Sequence, residues 1–381
     1  MTPVSRRSQE ITSFIVMDVL ERAHELERQG RDIIHLEVGE PDFPTPAPVS
    51  EAASDAIKGG KTHYTHSLGL PELREAVCEH YFSRYNAAVE PDRVVITSGT
   101  SPALFMVYSV LLEKGDKLIL SNPHYPCYPN FALFLDAVPD FVDVYEEDGF
   151  QYRPSEIEKK ITPKTRAILV NSPSNPTGNL LSGDRMEAVS QIGPRVISDE
   201  IYHGLVYGEK EHSILEYTDD AFVVNGFSKL YAMTGWRLGY LIAPREFIRP
   251  IQKIQQNFYI SAGSVAQWAG IAALTKSEED VANMKSVYNR RRIYMIERLK
   301  KMGFGLKVEP KGAFYVFVNA KHISENSYDL SFEILEKTGV GVTPGIDFGR
   351  NGEGYLRFSY ANSIENIEEG LNRIERYLKE R

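Results

Sequence analysis

Lys229 is the residue in this chain best placed for covalent chemistry. It follows Ala221-Phe-Val-Val-Asn225, a β-branched and aromatic run that reads as a buried strand, and it sits among small residues, with Ser228 before it and an aromatic run after it. A lone lysine at a strand end is ordinarily solvated. One withdrawn from water has its pKa lowered toward that of a usable amine nucleophile. Arg237 follows on the same segment, beside the chain breaks Gly235 and Gly239, and has the planar fork that grips an anion. The pair reads as a Schiff-base lysine with an anion clamp nearby. Two more charges stand out. Asp199 ends the strand-like run Arg195-Val-Ile-Ser198, where a carboxylate is costly unless paired. Arg357 lies within Gly354-Tyr-Leu-Arg-Phe-Ser359, where a buried guanidinium needs an anion.

The segment Gly226-Phe-Ser-Lys229, with Arg237-Leu-Gly239 after it, resembles the lysine signature of the class I/II aminotransferases, fold-type-I enzymes that use pyridoxal phosphate. Lysine and arginine match position for position. Many members carry Ser where this chain has Gly226, so the resemblance leaves Ser228 or another loop to supply that phosphate donor. Other motifs match in order. Gly39-Glu-Pro-Asp-Phe43 is similar to the family's turn beside the substrate carboxylate. Ser98-Gly-Thr-Ser-Pro102 stands at the phosphate loop, implying phosphate contacts from Gly99, Thr100 and Ser101. Tyr125 takes the place of the aromatic that stacks on the pyridine ring. Asn171-Ser-Pro-Ser-Asn-Pro-Thr-Gly178 contains the family's Asn-Pro-Thr-Gly, and its Asn175 is implied to donate to the cofactor's phenolic oxygen and to border the substrate. Asp199 is implied to pair with the pyridine nitrogen, Tyr202 to be a second donor to the phenolic oxygen, and Arg357 to hold the substrate α-carboxylate. Lys229, Tyr202 and Asp199 are thus the implied catalytic set. Tyr64, ahead of Gly69-Leu-Pro-Glu-Leu-Arg74, matches a tyrosine that reaches the phosphate in the neighbouring subunit, which implies a homodimer.

These residues must be positioned by a common frame. From Val94 onward strands and helices alternate, which predicts right-handed βαβ units and a largely parallel sheet. Strands are expected at 93–97, 117–121, 166–170, 195–198, 221–225 and 238–243, and Gly99/Thr100, Tyr125, Asn175, Asp199, Tyr202 and Lys229 all fall just after one. Ligands of open α/β sheets bind at the strands' carboxyl ends, so topology brings these residues together. Helices are expected over 16–29, 49–58, 103–112 (Ser101 its N-cap, Pro102 in its first turn) and 277–301, with a last one capped by Ser363. The first ten residues read as frayed. The run Arg290-Arg-Arg292 reads as a solvated face. Short strands at 33–38, 313–318 and 354–359 belong to a second, smaller α/β unit. The expected fold is α/β: a large domain over 47–280 with a mostly parallel sheet flanked by helices, and a small domain from 1–46 and 281–381.

Composition narrows the function further. A chain of 381 residues, 42% hydrophobic and 25% charged, is long enough for a large core. A net charge of −9 with no basic run argues against nucleic-acid binding. Two cysteines, Cys78 and Cys127, favour a reducing cytoplasm over a disulfide frame. No apolar run is long enough to span a membrane, and no metal motif is apparent. Gly59-Gly-Lys-Thr62 mimics the tail of a phosphate-binding P-loop. It fails because the motif's first glycine would fall on Asp55 and a helix, not a strand, precedes it.

The expected function is transfer of an amino group between an L-amino acid and a 2-oxo acid by a ping-pong route. Some aspartate-using members carry Lys at the position of Ser101. That difference, with Phe14, Ile15, Val16 and Met17 in the N-terminal segment, leans toward a neutral or aromatic side chain. A C–S β-lyase, which uses the same cofactor apparatus, is the first alternative, and a non-catalytic ligand sensor on the same fold is the second.

Overall fold

The computed structural model describes residues 4–381. β1 (Ile34–His35) comes first. The central sheet then takes β2 (Val94–Thr97), β3 (Lys117–Asn122), β4 (Val138–Asp143), β5 (Thr165–Asn171), β6 (Arg195–Asp199), β7 (Ala221–Gly226) and β8 (Gly239–Ile242). Their order is β2-β8-β7-β6-β5-β3-β4. β8 runs antiparallel to both neighbours, and every other pairing is parallel. β9 (Tyr315–Asn319), β10 (Val340–Gly341), β11 (Thr343–Pro344) and β12 (Tyr355–Ser359) follow. β11, β12 and β9 form an antiparallel sheet, and β10 pairs in parallel with β1.

The inner strands read as unbroken apolar runs because helices cover both faces of a parallel sheet. Alternation along each strand then sorts the side chains. Leu118, Leu120, Leu169, Ile197 and Phe222 pack with Leu104, Met106 and Val107 of helix Thr100–Leu111. Ile119, Ile168, Val170, Val196 and Val223 point to the other face, into the larger core.

Three expectations are corrected. The helix after β2 starts at Thr100, with Gly99 at φ +100° as its N-cap and no side-chain cap, so Ser101 lies inside the first turn. The turn out of β2 requires the left-handed backbone that glycine adopts without strain, and the helix begins as soon as that turn is made. The N-terminal stretch contains a short helix, Arg6–Glu10, held by ion pairs from Arg6 and Arg7 to Asp136 at 2.8 and 2.6 Å. Met1, Thr2 and Pro3 lie outside the described residues. The Arg290–Arg292 run is not one solvated face, because consecutive residues on a helix point 100° apart. Arg291 and Arg292 are buried; Arg291 reaches Asp42 at 2.8 Å and Arg292 donates to the Pro310 carbonyl at 2.9 Å. Ser363 does cap the final helix, Ile364–Glu380.

No helix of the described residues is long and apolar enough to cross a membrane.

Candidate active site

Strand ends do the positioning. Asn171 closes β5, Asp199 closes β6, Gly226 closes β7, and the Gly99 turn leaves β2. Together they open onto one cavity of about 320 Å³. Gly39, Thr100, Ser101, Tyr125, Asn175, Asp199, Tyr202, Ser228, Lys229, Arg237 and Arg357 all stand on its wall. Residues separated by more than 300 positions are thus brought together, Arg357 from β12 of the second sheet and the rest largely from the loops of the first.

Lys229 donates from Nζ to the Gly39 carbonyl at 2.6 Å. Burial, partly offset by the charge of Glu40, lowers its pKa to about 8, so the neutral amine is far more accessible near neutral pH than for an ordinary lysine. Asp199 is buried at the floor. It accepts from Tyr128 Oη at 2.7 Å and from the Ile201 N–H at 3.2 Å. Burial outweighs both bonds and lifts its pKa to about 6. A carboxyl in that condition gains from a cationic or N–H partner in the cavity.

Two arginines are held ready for anions. Arg357, 2% exposed, donates to Asn175 Oδ1 at 2.8 Å, to the Glu37 carbonyl at 2.5 Å and to Thr343 Oγ1 at 3.1 Å, and its Cζ lies 4.3 Å from the centre of the Tyr315 ring. Its Nε is buried without a partner among the described residues. Arg237 adopts φ +51°, a backbone state that non-glycine residues seldom take, and donates to the Thr234 carbonyl at 3.0 Å. Its guanidinium lies against Gly99: a Cβ there would come within 2.7 Å of Nη2. Among the described residues neither arginine has a carboxylate within salt-bridge distance. The uncapped first turn of helix Thr100–Leu111, with its free N–H groups, completes an anion cradle with Arg237. Gly226 pairs with Gly239, and a side chain on it would press on the Leu238 carbonyl at 3.0 Å, so β7 and β8 approach too closely there for the family's serine without adjustment. Ser228 lines the cavity nearby.

Asn175 spends its Oδ1 on Arg357, which leaves its amide nitrogen for the cavity; its own N–H donates to Asn171 Oδ1 at 2.9 Å. Tyr202 Oη bonds Tyr315 Oη at 2.8 Å. Tyr125 meets Phe14 edge-on at 5.7 Å between ring centres. Tyr64 is the outlier: it is 82% exposed and takes no part in its own chain's cavity. Sequence reasoning missed Tyr128, Tyr315 and Asn171. Tyr128 lies only three residues past Tyr125, the one signal that pointed to it; the other two partnerships exist only in the folded chain.

Residues 31–374 match the family described as aminotransferase class I and II. A (5-formylfuran-3-yl)methyl phosphate transaminase from Methanocaldococcus jannaschii is 44% identical over 98% of this chain and 99% of its own. An aspartate aminotransferase from Pyrococcus horikoshii is 41% identical, covering 96% of this chain and 94% of that one. Among solved structures, the Thermus thermophilus aspartate aminotransferase with maleate superposes with a TM-score of 0.95 at 37% identity, covering 99% of this chain and all of the other. A Methanococcus jannaschii protein described as similar in its active site to kynurenine aminotransferases gives 0.93 at 43%, with the same coverage. Enzymes of this kind transfer amino groups with pyridoxal phosphate. This chain belongs to the class I and II aminotransferases.

Proposed function

We propose that the 320 Å³ cavity holds pyridoxal phosphate with Lys229, Asp199 and Arg237 as its three anchors, and that the enzyme prefers amino acids with neutral or aromatic side chains. The observation that carries this reading is the set of unsatisfied groups: an amine with a lowered pKa, a carboxyl with a raised one, and two guanidiniums without carboxylates, all facing one space. The fit is chemical. A phosphate suits Arg237, the N–H groups at Thr100 and Ser101, and the Ser228 hydroxyl. A pyridinium N–H suits the Asp199 carboxylate, and a phenolic oxygen suits the Asn175 amide and Tyr202. When bound, the cofactor supplies an aldehyde for the amino group and an electron-withdrawing ring that stabilises charge at the substrate α-carbon.

The chain's own groups do the rest. Arg357 takes the α-carboxylate and fixes the substrate's orientation, with Asn175 and Thr343 fixing Arg357. Lys229, neutral once it gives up its proton, removes the proton from the α-carbon of the amino acid and, in the return half-reaction, delivers one to the corresponding carbon of the incoming 2-oxo acid. Tyr128 holds the Asp199 carboxylate toward the ring, and Tyr125 covers the ring's face. Tyr64, so exposed here, extends to the partner's phosphate in a homodimer, and residues 1–46 with 281–381 act as the small domain against 47–280.

Side-chain preference follows from the remaining wall. Phe14, Val16, Met17, Leu20 and Leu104 are apolar, and the cavity's three cations are all engaged by the roles above. Initial rates for single amino acids with 2-oxoglutarate test this. Phenylalanine, tyrosine or leucine should exceed aspartate in kcat/KM by about tenfold or more, the value of one or two buried apolar contacts. A dicarboxylate is the second reading, favoured by the similarity to the two aspartate aminotransferases; a preference for aspartate would establish it. Pyruvate release from cystathionine without an oxo-acid acceptor would mark lyase activity instead.

A further inference from the structure

Helix Ile15–Arg28 carries Val16, Met17 and Leu20 to the cavity at its first half and a cluster of different chemistry at its second. There His24 and Glu27, one helical turn apart, face His35 of β1. The ligand-type atoms of all three lie within 4.8 Å of one another. Glu27 Oε1 is 3.2 Å from His35 Nε2, and Glu27 Oε2 is 4.0 Å from His24 Nε2. Neighbouring ligands in a tetrahedral shell with metal–donor bonds near 2.0–2.1 Å are separated by roughly 3.4 Å, so small side-chain rotations close the set around one cation.

A second observation lies behind the cluster. The His35 Nδ1 is 2.6 Å from Oε1 of Glu37, whose side chain is fully buried and whose Oε2 has no partner among the described residues. A carboxylate can only accept, so Nδ1 donates to Glu37 and Nε2, in the absence of a cation, donates to Glu27; Nε2 is the nitrogen turned toward Glu27 and His24 that a cation would take over. A carboxylate behind the imidazole is the arrangement that orients metal-bound histidines and makes them better donors. It is also built in: Gly341, paired with His35 across β1 and β10, has no side chain, and a Cβ there would collide with the Glu37 carboxylate.

We propose that His24, Glu27 and His35 form a binding site for a divalent transition cation of the Zn2+ type, with Glu37 as the supporting carboxylate, and that the cation ties helix Ile15–Arg28 to β1. Two imidazoles and one carboxylate form a borderline donor set suited to Zn2+, Co2+ or Ni2+, and water fills the fourth position. On binding, the Nε2–metal bond replaces any Nε2–H bond, and that proton passes to solvent. The brace bears on the site from both sides. The helix lines the cavity, and β1 leads through the Glu37 carbonyl, which accepts from Arg357, to the Gly39 carbonyl, which accepts from Lys229.

The test is calorimetric titration of chelator-treated holoenzyme with Zn2+, alongside a His24→Ala/Glu27→Gln double variant. Both substitutions are at exposed positions and leave the fold and the Zn2+-free transamination rate unchanged. Wild type should take up one Zn2+ per chain saturably, the double variant should lose that step, and Glu37→Gln should weaken it by about 10- to 100-fold. Zn2+ should also slow amide exchange across 15–28 in the wild type alone. Absence of a saturable step, or an equal step in the double variant, would overturn the site; a saturable step without slowed exchange would overturn the brace.

Discussion

Two clefts on this molecule hold arginines, and they use them in opposite ways. The cleft lined by Arg93, Arg195 and Arg245 is comparable in size and more open to solvent. Every arginine in it is paired. Arg93 meets Asp219 at 3.1 Å, Arg195 meets Asp220 at 2.9 Å and Glu246 at 3.3 Å, and Arg245 meets Glu90 and Asp92. In the cavity described above, Arg237 and Arg357 have, among the described residues, neutral hydrogen-bond partners only, and Lys229 has a carbonyl. A cation whose carboxylate is supplied by the fold is a structural element. One aimed by carbonyls and amides, with its charge uncompensated, is prepared for a ligand. Charge left unpaired, not volume, separates the functional cleft from the ornamental one.

That contrast can be broken by mutation. The largest effect belongs to Lys229→Ala, which should lower kcat by at least about 10³-fold, since a positioned base alone is worth 10² to 10⁴; oxo-acid formation measures it. Arg357→Ala should lower kcat/KM by about 10²-fold or more while Arg357→Lys recovers part of that loss, because lysine restores the charge but not the bidentate fork. Arg237→Ala should weaken retention of the cofactor by roughly 10- to 100-fold, the value of one charge-assisted hydrogen bond, read by equilibrium dialysis. At the paired cleft, Arg245→Ala should cost no more than about 1 kcal/mol and leave turnover unchanged, as expected for an exposed ion pair. A loss of activity there would dissolve the distinction.

Asp199 sharpens the comparison through pH. Its pKa is raised by burial in the cofactor-free protein, so the folded state holds its proton more tightly than the unfolded state. The stability this contributes is full below the ordinary carboxylate value near 4 and is lost as pH rises through about 6. Cofactor-free Asp199→Asn should therefore be more stable than wild type at pH 7, by on the order of 2 kcal/mol in denaturant titration, and the two should converge below pH 4. The same variant should bind the cofactor less well, so the gain in stability and the loss of function come from one residue.

Much of this was legible in the sequence, for a physical reason. Buried parallel strands must be apolar throughout, so β5, β6 and β7 announce themselves as Ala-Ile-Leu-Val, Val-Ile-Ser and Ala-Phe-Val-Val; Asn171 and Asp199, which end the first two, line the cavity, as do Ser228 and Lys229 just past the third. Strand β4, Val-Pro-Asp-Phe-Val-Asp, escaped notice because an edge strand is half solvated and tolerates Pro139. The anchors were readable; their supports were not. Tyr128 on Asp199, Tyr315 on Tyr202 and Asn171 on Asn175 are contacts made by the fold, and nothing in local spacing marks a tyrosine as the partner of a carboxylate 71 residues away. The Arg290–Arg292 run misled for a related reason: charge clusters look solvated in one dimension, and only the helix shows that two of the three turn inward.

Lys229 is the amine proposed to bind the cofactor. Borohydride reduction of the holoenzyme, followed by proteolysis and mass mapping, tests it most directly. The cofactor's added mass should appear on the peptide containing Lys229 and be absent in Lys229→Ala. Added mass on any other lysine, or the same modified peptide pattern in the variant, would contradict it.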